Sequence, residues 1–153
     1  MSSAALKPAT RDIRVDEVFS HTAEMMWKTL TTPELMGRWL MVPTGFEPVV
    51  GNHFTYQTTP AGEWDGIINC EVLEAVPNER LVYTWQGGND ANSGYGSRLD
   101  TVVAWTLTRA EGGTRVRLVH SGFQAPNDVA FRNMSDGWPK VVQMVAELAR
   151  EYF

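Results

Sequence analysis

The stretch Trp138-Pro139-Lys140-Val141-Val142-Gln143-Met144-Val145-Ala146-Glu147-Leu148-Ala149-Arg150-Glu151-Tyr152 decides the fold. Trp138, Val141, Val142, Val145, Leu148, Ala149 and Tyr152 recur at helical spacing, while Lys140, Gln143, Glu147, Arg150 and Glu151 face away. One apolar stripe therefore runs the length of an amphipathic helix, and it must be buried against something. Trp138 is expected to open this helix. Ser135 or Asp136 can cap it, and Pro139 then falls in or near the first turn, where a missing N–H is tolerated.

The surface to receive that stripe lies upstream, where the pattern changes to period two. Phe46–Val50 reads as a weak strand, followed by a turn at Gly51-Asn52. His53–Thr58 puts Phe54 and Tyr56 on one face. Trp64–Val76 reads as a long strand broken by Pro77-Asn78. Leu81, Tyr83 and Trp85 share a face in the next strand; Val103, Trp105 and Leu107 align in Leu99–Thr108, and Val116, Leu118 and His120 in Thr114–Ser121. Short connections favour antiparallel pairing.

Ahead of these, Arg11–Phe19 is a strand with Ile13, Val15, Glu17 and Phe19 on one side. A helix begins near Thr22, with Glu24 in the first turn and Met26, Trp27 and Leu30 on its apolar face. Thr32-Pro33-Glu34 starts a second short helix, with a hydroxyl cap and proline at the first position, carrying Leu35, Met36, Trp39 and Leu40. Residues 1–10 read as a mobile small-residue tail, and 11–153 as a single domain. The class is α+β: a curved antiparallel sheet of about six to seven strands laid against a long C-terminal helix, with two short helices after the first strand. A twisted sheet curls, and only the terminal helix is long enough to cover its concave face. Large inward side chains either fill the gap between them as core or line a pocket; the candidates are Trp39, Phe54, Tyr56, Tyr83, Trp85, Trp105, His120 and Trp138.

Four segments carry a family resemblance: Met26-Trp27 through Thr31, Pro33 through Trp39-Leu40, Glu79-Arg80-Leu81-Val82-Tyr83-Thr84-Trp85, and His120-Ser121-Gly122-Phe123 with Gly137-Trp138. In this order they resemble the AHSA1-like branch, named for activators of the Hsp90 ATPase, of the START-like (SRPBCC) superfamily. The resemblance implies the helix-grip fold and a cavity for a small apolar or aromatic ligand between sheet and helix. It brings two alternatives, a cyclase- or hydrolase-type enzyme using the same cavity, and a chaperone partner. The eukaryotic activators carry an additional partner-binding domain for which this chain is expected to leave no room. One scaffold hosts many functions, so the site must decide.

Net charge is −5, a sign that repels phosphate backbones and argues against nucleic acid. No run approaches the length of a membrane span and no export signal opens the chain, so a cytoplasmic location is expected. The one cysteine, Cys70, reads as a small buried hydrophobe. No metal-ligand spacing, phosphate loop, dinucleotide fingerprint or nucleophile elbow occurs, and no cofactor is expected. Glu71 and Glu74 read as solvated or hairpin-paired carboxylates, and Arg98 with Asp100 as a rim ion pair. His120 continues the Val116, Leu118 face. It reads either as a buried histidine bonded to a carbonyl or to Trp138, or as a polar anchor beside the helix N-terminus, neutral at pH 7. The Gly-, Asn- and Ser-rich stretch Gln86–Ser97 reads either as a lid or as a mobile hairpin loop. Met25, Met26 and Met36 are candidates for an adaptable pocket wall.

Overall fold

The computed structural model describes residues 10–153; the tail expected over 1–10 lies, apart from Thr10, outside the described residues. The order is β1 (Arg11–Phe19), α1 (Ala23–Thr31), α2 (Pro33–Trp39), β2 (His53–Gln57), β3 (Ile67–Val76), β4 (Arg80–Gly87), β5 (Leu99–Ala110), β6 (Gly113–Phe123), a one-turn 3-10 helix (Ala125–Asn127) and α3 (Asp128–Tyr152). The six strands form one antiparallel sheet in the order β1-β6-β5-β4-β3-β2. The architecture is α+β, a curved sheet gripped by a long C-terminal helix.

Local chemistry explains the short helices. Thr22 caps α1, its Oγ1 accepting from Met25 N at 3.1 Å. Thr32 sits at the N-cap of α2 but does not cap it; its hydroxyl donates instead to Lys28 O at 2.6 Å, closing α1. Pro33 then supplies the pre-set φ of a first helical residue. Trp39 Nε1 donates to Thr29 O at 3.0 Å and so locks α2 to α1.

Strand parity follows the alternation. Ile13 pairs with His120, His120 with Val103, and Val103 with Tyr83, giving one inward row across four strands. Two sequence expectations about the strands are corrected. Phe46–Val50 is irregular, its neighbour Thr44 making only an isolated bridge to Thr55, because Pro43, Gly45 and Pro48 interrupt pairing. Trp64 lies in a tight turn bridged to Ala61, and β3 starts only at Ile67. Glu74 is hairpin-paired as expected: a bulge between Val72 and Glu74 turns both Leu73 and Glu74 outward, and Glu74 pairs with Arg80 at 3.2 Å.

The largest difference concerns α3. It begins at Asp128, not at Trp138, and runs for 25 residues. Ser135 and Asp136 are helix interior, and Pro139 is a mid-helix proline that cannot donate to the carbonyl four residues back. The apolar periodicity that starts at Trp138 is real, but it marks where tight packing begins. From Trp138 onward Val142, Val145, Ala146, Leu148 and Ala149 are buried. Within Asp128–Gly137 no residue is fully buried. The start of α3 is tied to β1 through Arg11, whose guanidinium pairs with Asp128 at 3.0 Å and lies 4.1 Å from the centre of the Phe131 ring.

A directional hydrogen-bond chain joins α3 to the sheet. Trp138 Nε1 donates to His120 Nδ1 at 3.0 Å, His120 Nε2 lies 2.8 Å from Thr101 Oγ1, and Thr101 Oγ1 donates to Trp85 O at 2.7 Å. An indole N–H only donates and a carbonyl only accepts. Nδ1 must therefore be bare and Nε2 must carry the proton, so the neighbours fix the tautomer. Burial pushes the His120 pKa down from 6.5 to about 3. The geometry acts in the same sense, because an imidazolium would point an N–H at the indole N–H. The helix terminus plays no part, since Trp138 lies ten residues inside α3.

Replacing fully buried Val145 by Asp should cost about 3 kcal/mol or more, since a carboxylate there has no partner. The melting temperature should drop by roughly 6–12 °C, while Met144→Asp, at a position 39 % exposed, should change it little. Equal melting of the two variants would show that α3 is not packed as described.

His120 also sets a pH dependence. Below about pH 6.5 the unfolded chain takes up a proton on this ring, and the folded chain does not until about pH 3. Stability is therefore complete above the unfolded value and declines as pH falls through that window, by up to about 1.4 kcal/mol per pH unit. Between pH 7 and pH 5 the wild type should lose about 2 kcal/mol more than His120→Gln, measured by urea unfolding. Parallel losses in the two proteins would refute a neutral buried ring.

Candidate functional site

Between the first turns of α3 and the β4–β5 end of the sheet lies a cleft of about 220 Å³. Its floor is Trp85, Ile68 and Leu99 from the strands, with Leu40 and Met41 following α2. Its roof is Ala130, Met134 and Gly137 from the loosely buried start of α3, with Trp138 and Val141 where the tight packing begins. Its outer wall is Trp64 and Tyr95, whose rings pack 5.8 Å apart. The polar side chains of the lining are neutral: Thr58, Tyr95, Ser97 and Asn133.

The stretch 88–98 forms that wall by being pinned rather than free. Asn92 Nδ2 donates to Ala61 O at 2.7 Å and to Gly96 O at 3.1 Å, and Tyr95 hydroxyl donates to Thr59 O at 2.8 Å. Asn127, just ahead of α3, donates to Arg98 O at 2.7 Å. Gly88 is required where the loop leaves β4: its φ is +79°, and a Cβ there would stand 2.0 Å from Ser97 O. Arg98 pairs with Asp90 at 3.8 Å, not with Asp100, which accepts from Gln86 at 2.8 Å.

Of the eight residues singled out from sequence, Trp85 and Trp138 line the cleft. The other six lie behind it as a continuous aromatic core. Trp39 meets Trp105 edge to face at 5.6 Å, and Trp105 meets Trp138 at 6.0 Å. Phe54 packs on Tyr56 and on Tyr83, and Tyr56 on Trp85 at 5.5 Å. His120 is fully buried with both ring nitrogens engaged inside the protein, which leaves neither free to anchor a ligand. Met26 and Met36 are fully buried, and the methionines of the cleft are Met41 and Met134. Trp64 and Tyr95 were missed by strand reasoning because both sit in turns. The visible signal for Tyr95 was a lone aromatic in Gly94-Tyr95-Gly96.

Burial sets the electrostatics. Desolvation raises the Tyr56 and Tyr83 phenols well above their usual range and pushes the Cys70 thiol up to about 12. Cys70 is thus a protonated, inert core residue. Tyr83 hydroxyl accepts from Trp105 Nε1 at 3.2 Å. Two buried side-chain polar atoms stand without a protein partner among the described residues: Tyr56 hydroxyl and Trp85 Nε1. An unsatisfied buried donor costs about 1–3 kcal/mol. No grouping of three His, Cys, Asp or Glu side chains able to hold a metal occurs among the described residues. No helix there is long and apolar enough to cross a membrane.

Comparison with known proteins places this architecture. The family model described as activator of Hsp90 ATPase homolog 1-like protein (AHSA1) matches residues 20–150. Among solved structures the chain is similar to protein MLL2253 from Mesorhizobium loti, at 34% identity over 94% of this chain and 99% of that one, with a TM-score of 0.78. CalU16 from Micromonospora echinospora is similar at 18% identity, 92% and 76% coverage and a TM-score of 0.71. The Aha1 dimer from Colwellia psychrerythraea is similar at 19% identity, 90% and 94% coverage and a TM-score of 0.67. The likeness to these last two extends to the fold alone. No protein of curated function matches the chain. A match over almost the whole chain, and a relative one-third identical along its length, make this protein a member of the AHSA1 family.

Proposed function

We propose that this protein binds a small apolar or aromatic molecule in the cleft between the first half of α3 and the sheet. The observation that carries this reading is the cleft itself: about 220 Å³ with an apolar lining and neutral polar groups. Pockets for drug-sized ligands span about 300–1,000 Å³, so a compact ligand suits it. Most of its roof, Ala130, Met134 and Gly137, belongs to the segment Asp128–Gly137 that has no fully buried residue and can adjust to a guest without disturbing the core that begins at Trp138. Trp85 and Trp138 are the contact residues; Trp39, Phe54, Tyr56, Tyr83, Trp105 and His120 hold them in place from behind. Acid–base catalysis needs titratable groups converging on a substrate. A lining of Trp, Leu, Met, Ile and Val favours holding a molecule over transforming one. The same reading keeps the protein in the cytoplasm, where the single thiol stays reduced.

Gly137 gives a direct test. It lines the cleft from α3, and a Cβ there would meet nothing within 4 Å. Gly137→Leu should fill the space while leaving the fold intact or stabilising it by about 0.5–1 kcal/mol, because glycine is a poor helix residue. Titration of the wild type with 2-ethylnaphthalene should change tryptophan fluorescence in a saturable way, and Gly137→Leu should abolish that change with a melting temperature no lower than that of the wild type. Saturable binding retained in Gly137→Leu would move the site elsewhere.

A further inference from the structure

The cleft separates its apolar surface from its polar one. Trp85, Ile68, Leu99 and Trp138 are buried and form the inner surface. Three of the four polar side chains of the lining stand at the solvent boundary instead: Tyr95 is 42 % exposed, Asn133 is exposed and Thr58 is half-buried. The fourth, Ser97, is buried, and its Oγ accepts from Asn127 Nδ2 at 3.2 Å. The mouth therefore offers both halves of a hydrogen bond. Tyr95 hydroxyl donates to Thr59 O at 2.8 Å, which leaves its oxygen free to accept. The Asn133 amide and the Thr58 hydroxyl can each donate and accept.

We infer that the ligand of this cleft is an uncharged ring compound, held with its apolar end on the rings of Trp85 and Trp138 and its polar end, an amide or hydroxyl, at the mouth beside Asn133 and Tyr95. This rests on the cleft being the binding site, and it narrows the ligand class and fixes its direction. No Lys, Arg, His, Asp or Glu belongs to the lining. A carboxylate at the mouth would give up part of its hydration and meet no cation, and the net charge of −5 adds a field of the same sign. An ammonium would meet no carboxylate. An amide or hydroxyl loses less on leaving water and recovers it from Thr58, Tyr95 and Asn133. The reverse orientation would leave that polar end unpaired among Ile68, Leu99 and the indole rings.

Four probes on one ring body test this by calorimetric titration into the full chain: 2-naphthamide, its charged isostere 2-naphthoate, the cationic 2-(aminomethyl)naphthalene, and 2-ethylnaphthalene as the apolar reference. The hydrocarbon should bind saturably. The amide should bind about tenfold more tightly than the carboxylate, and more tightly than the amine. Asn133→Lys then sets a cation at the mouth, on an exposed helical position. In that variant the carboxylate should gain about two- to fivefold in affinity, the worth of an exposed ion pair, with the hydrocarbon unchanged. Carboxylate or amine binding to the wild type as tightly as the amide would overturn the neutrality and leave the cleft as the site. A carboxylate affinity unmoved by Asn133→Lys would overturn the orientation, because the polar end would lie away from the mouth. Binding of the hydrocarbon alone would overturn the polar end and leave a purely apolar site. Binding of none of the four would remove the cleft reading together with this one.

Discussion

The hydrogen bonds that run from Trp138 through His120 and Thr101 to the backbone of Trp85 organise the rest of the molecule. They form a buried polar connection between the middle of α3 and the centre of the sheet, and they lie in a region otherwise packed with aromatic rings. A single buried histidine in such a place is unstable unless both nitrogens are satisfied, since each unpaired polar atom in an apolar interior carries a desolvation cost. Here the donors and acceptors run in one direction, which admits one tautomer and one ring orientation. The height of α3 above the sheet is set at Trp138 by hydrogen-bond length rather than by side-chain volume alone. C-terminal to that point the helix closes on the core with Val142, Val145 and Leu148. N-terminal to it the helix extends over the cleft. The same contact is therefore the end of the core and the inner end of the site.

That division explains why the sheet and helices were legible in the sequence while the start of α3 was not. Period two in β4, β5 and β6 and period 3.6 after Trp138 both arise from one-sided burial, and one-sided burial is what periodicity reports. Asp128–Gly137 roofs a cleft, so it carries no such stripe and looks like loop. Pro139 compounded this: read as a first-turn residue it placed the helix start ten residues late. The weak strand expected at Phe46–Val50 failed for the opposite reason, since apolar residues there were counted while Pro43 and Pro48 deny the ladder its donors. The family segments were informative for a physical cause. His120 and Trp138, 18 residues apart, stand at the two ends of one hydrogen bond.

The candidate site was legible in kind and only partly in detail. Large inward aromatics do mark the layer between sheet and helix. Which of them touch empty space depends on the turns at Ala61–Trp64 and 88–98, and no strand pattern encodes those. Their placement is held by side-chain to backbone bonds of Asn92, Tyr95 and Asn127 that connect segments some 30 residues apart. Such bonds leave no periodic trace. Parity placed His120 on the inward face, and the structure places it there. What parity could not tell is that its ring would be fully engaged by Trp138 and Thr101.

Membership of the AHSA1 family and the chemistry of the cleft bear on different residues. The clamp, the inward row of Ile13, His120, Val103 and Tyr83, and the packed half of α3 are what a helix-grip scaffold needs to exist. They constrain fold and stability. The walls that a guest would touch are supplied by loops and by the one helical segment that is not fully packed, where a change of side chain costs little stability. Gly137 and Tyr95 belong to that second set. Trp85 belongs to both, with its backbone carbonyl at the end of the clamp and its ring among the residues that line the cleft.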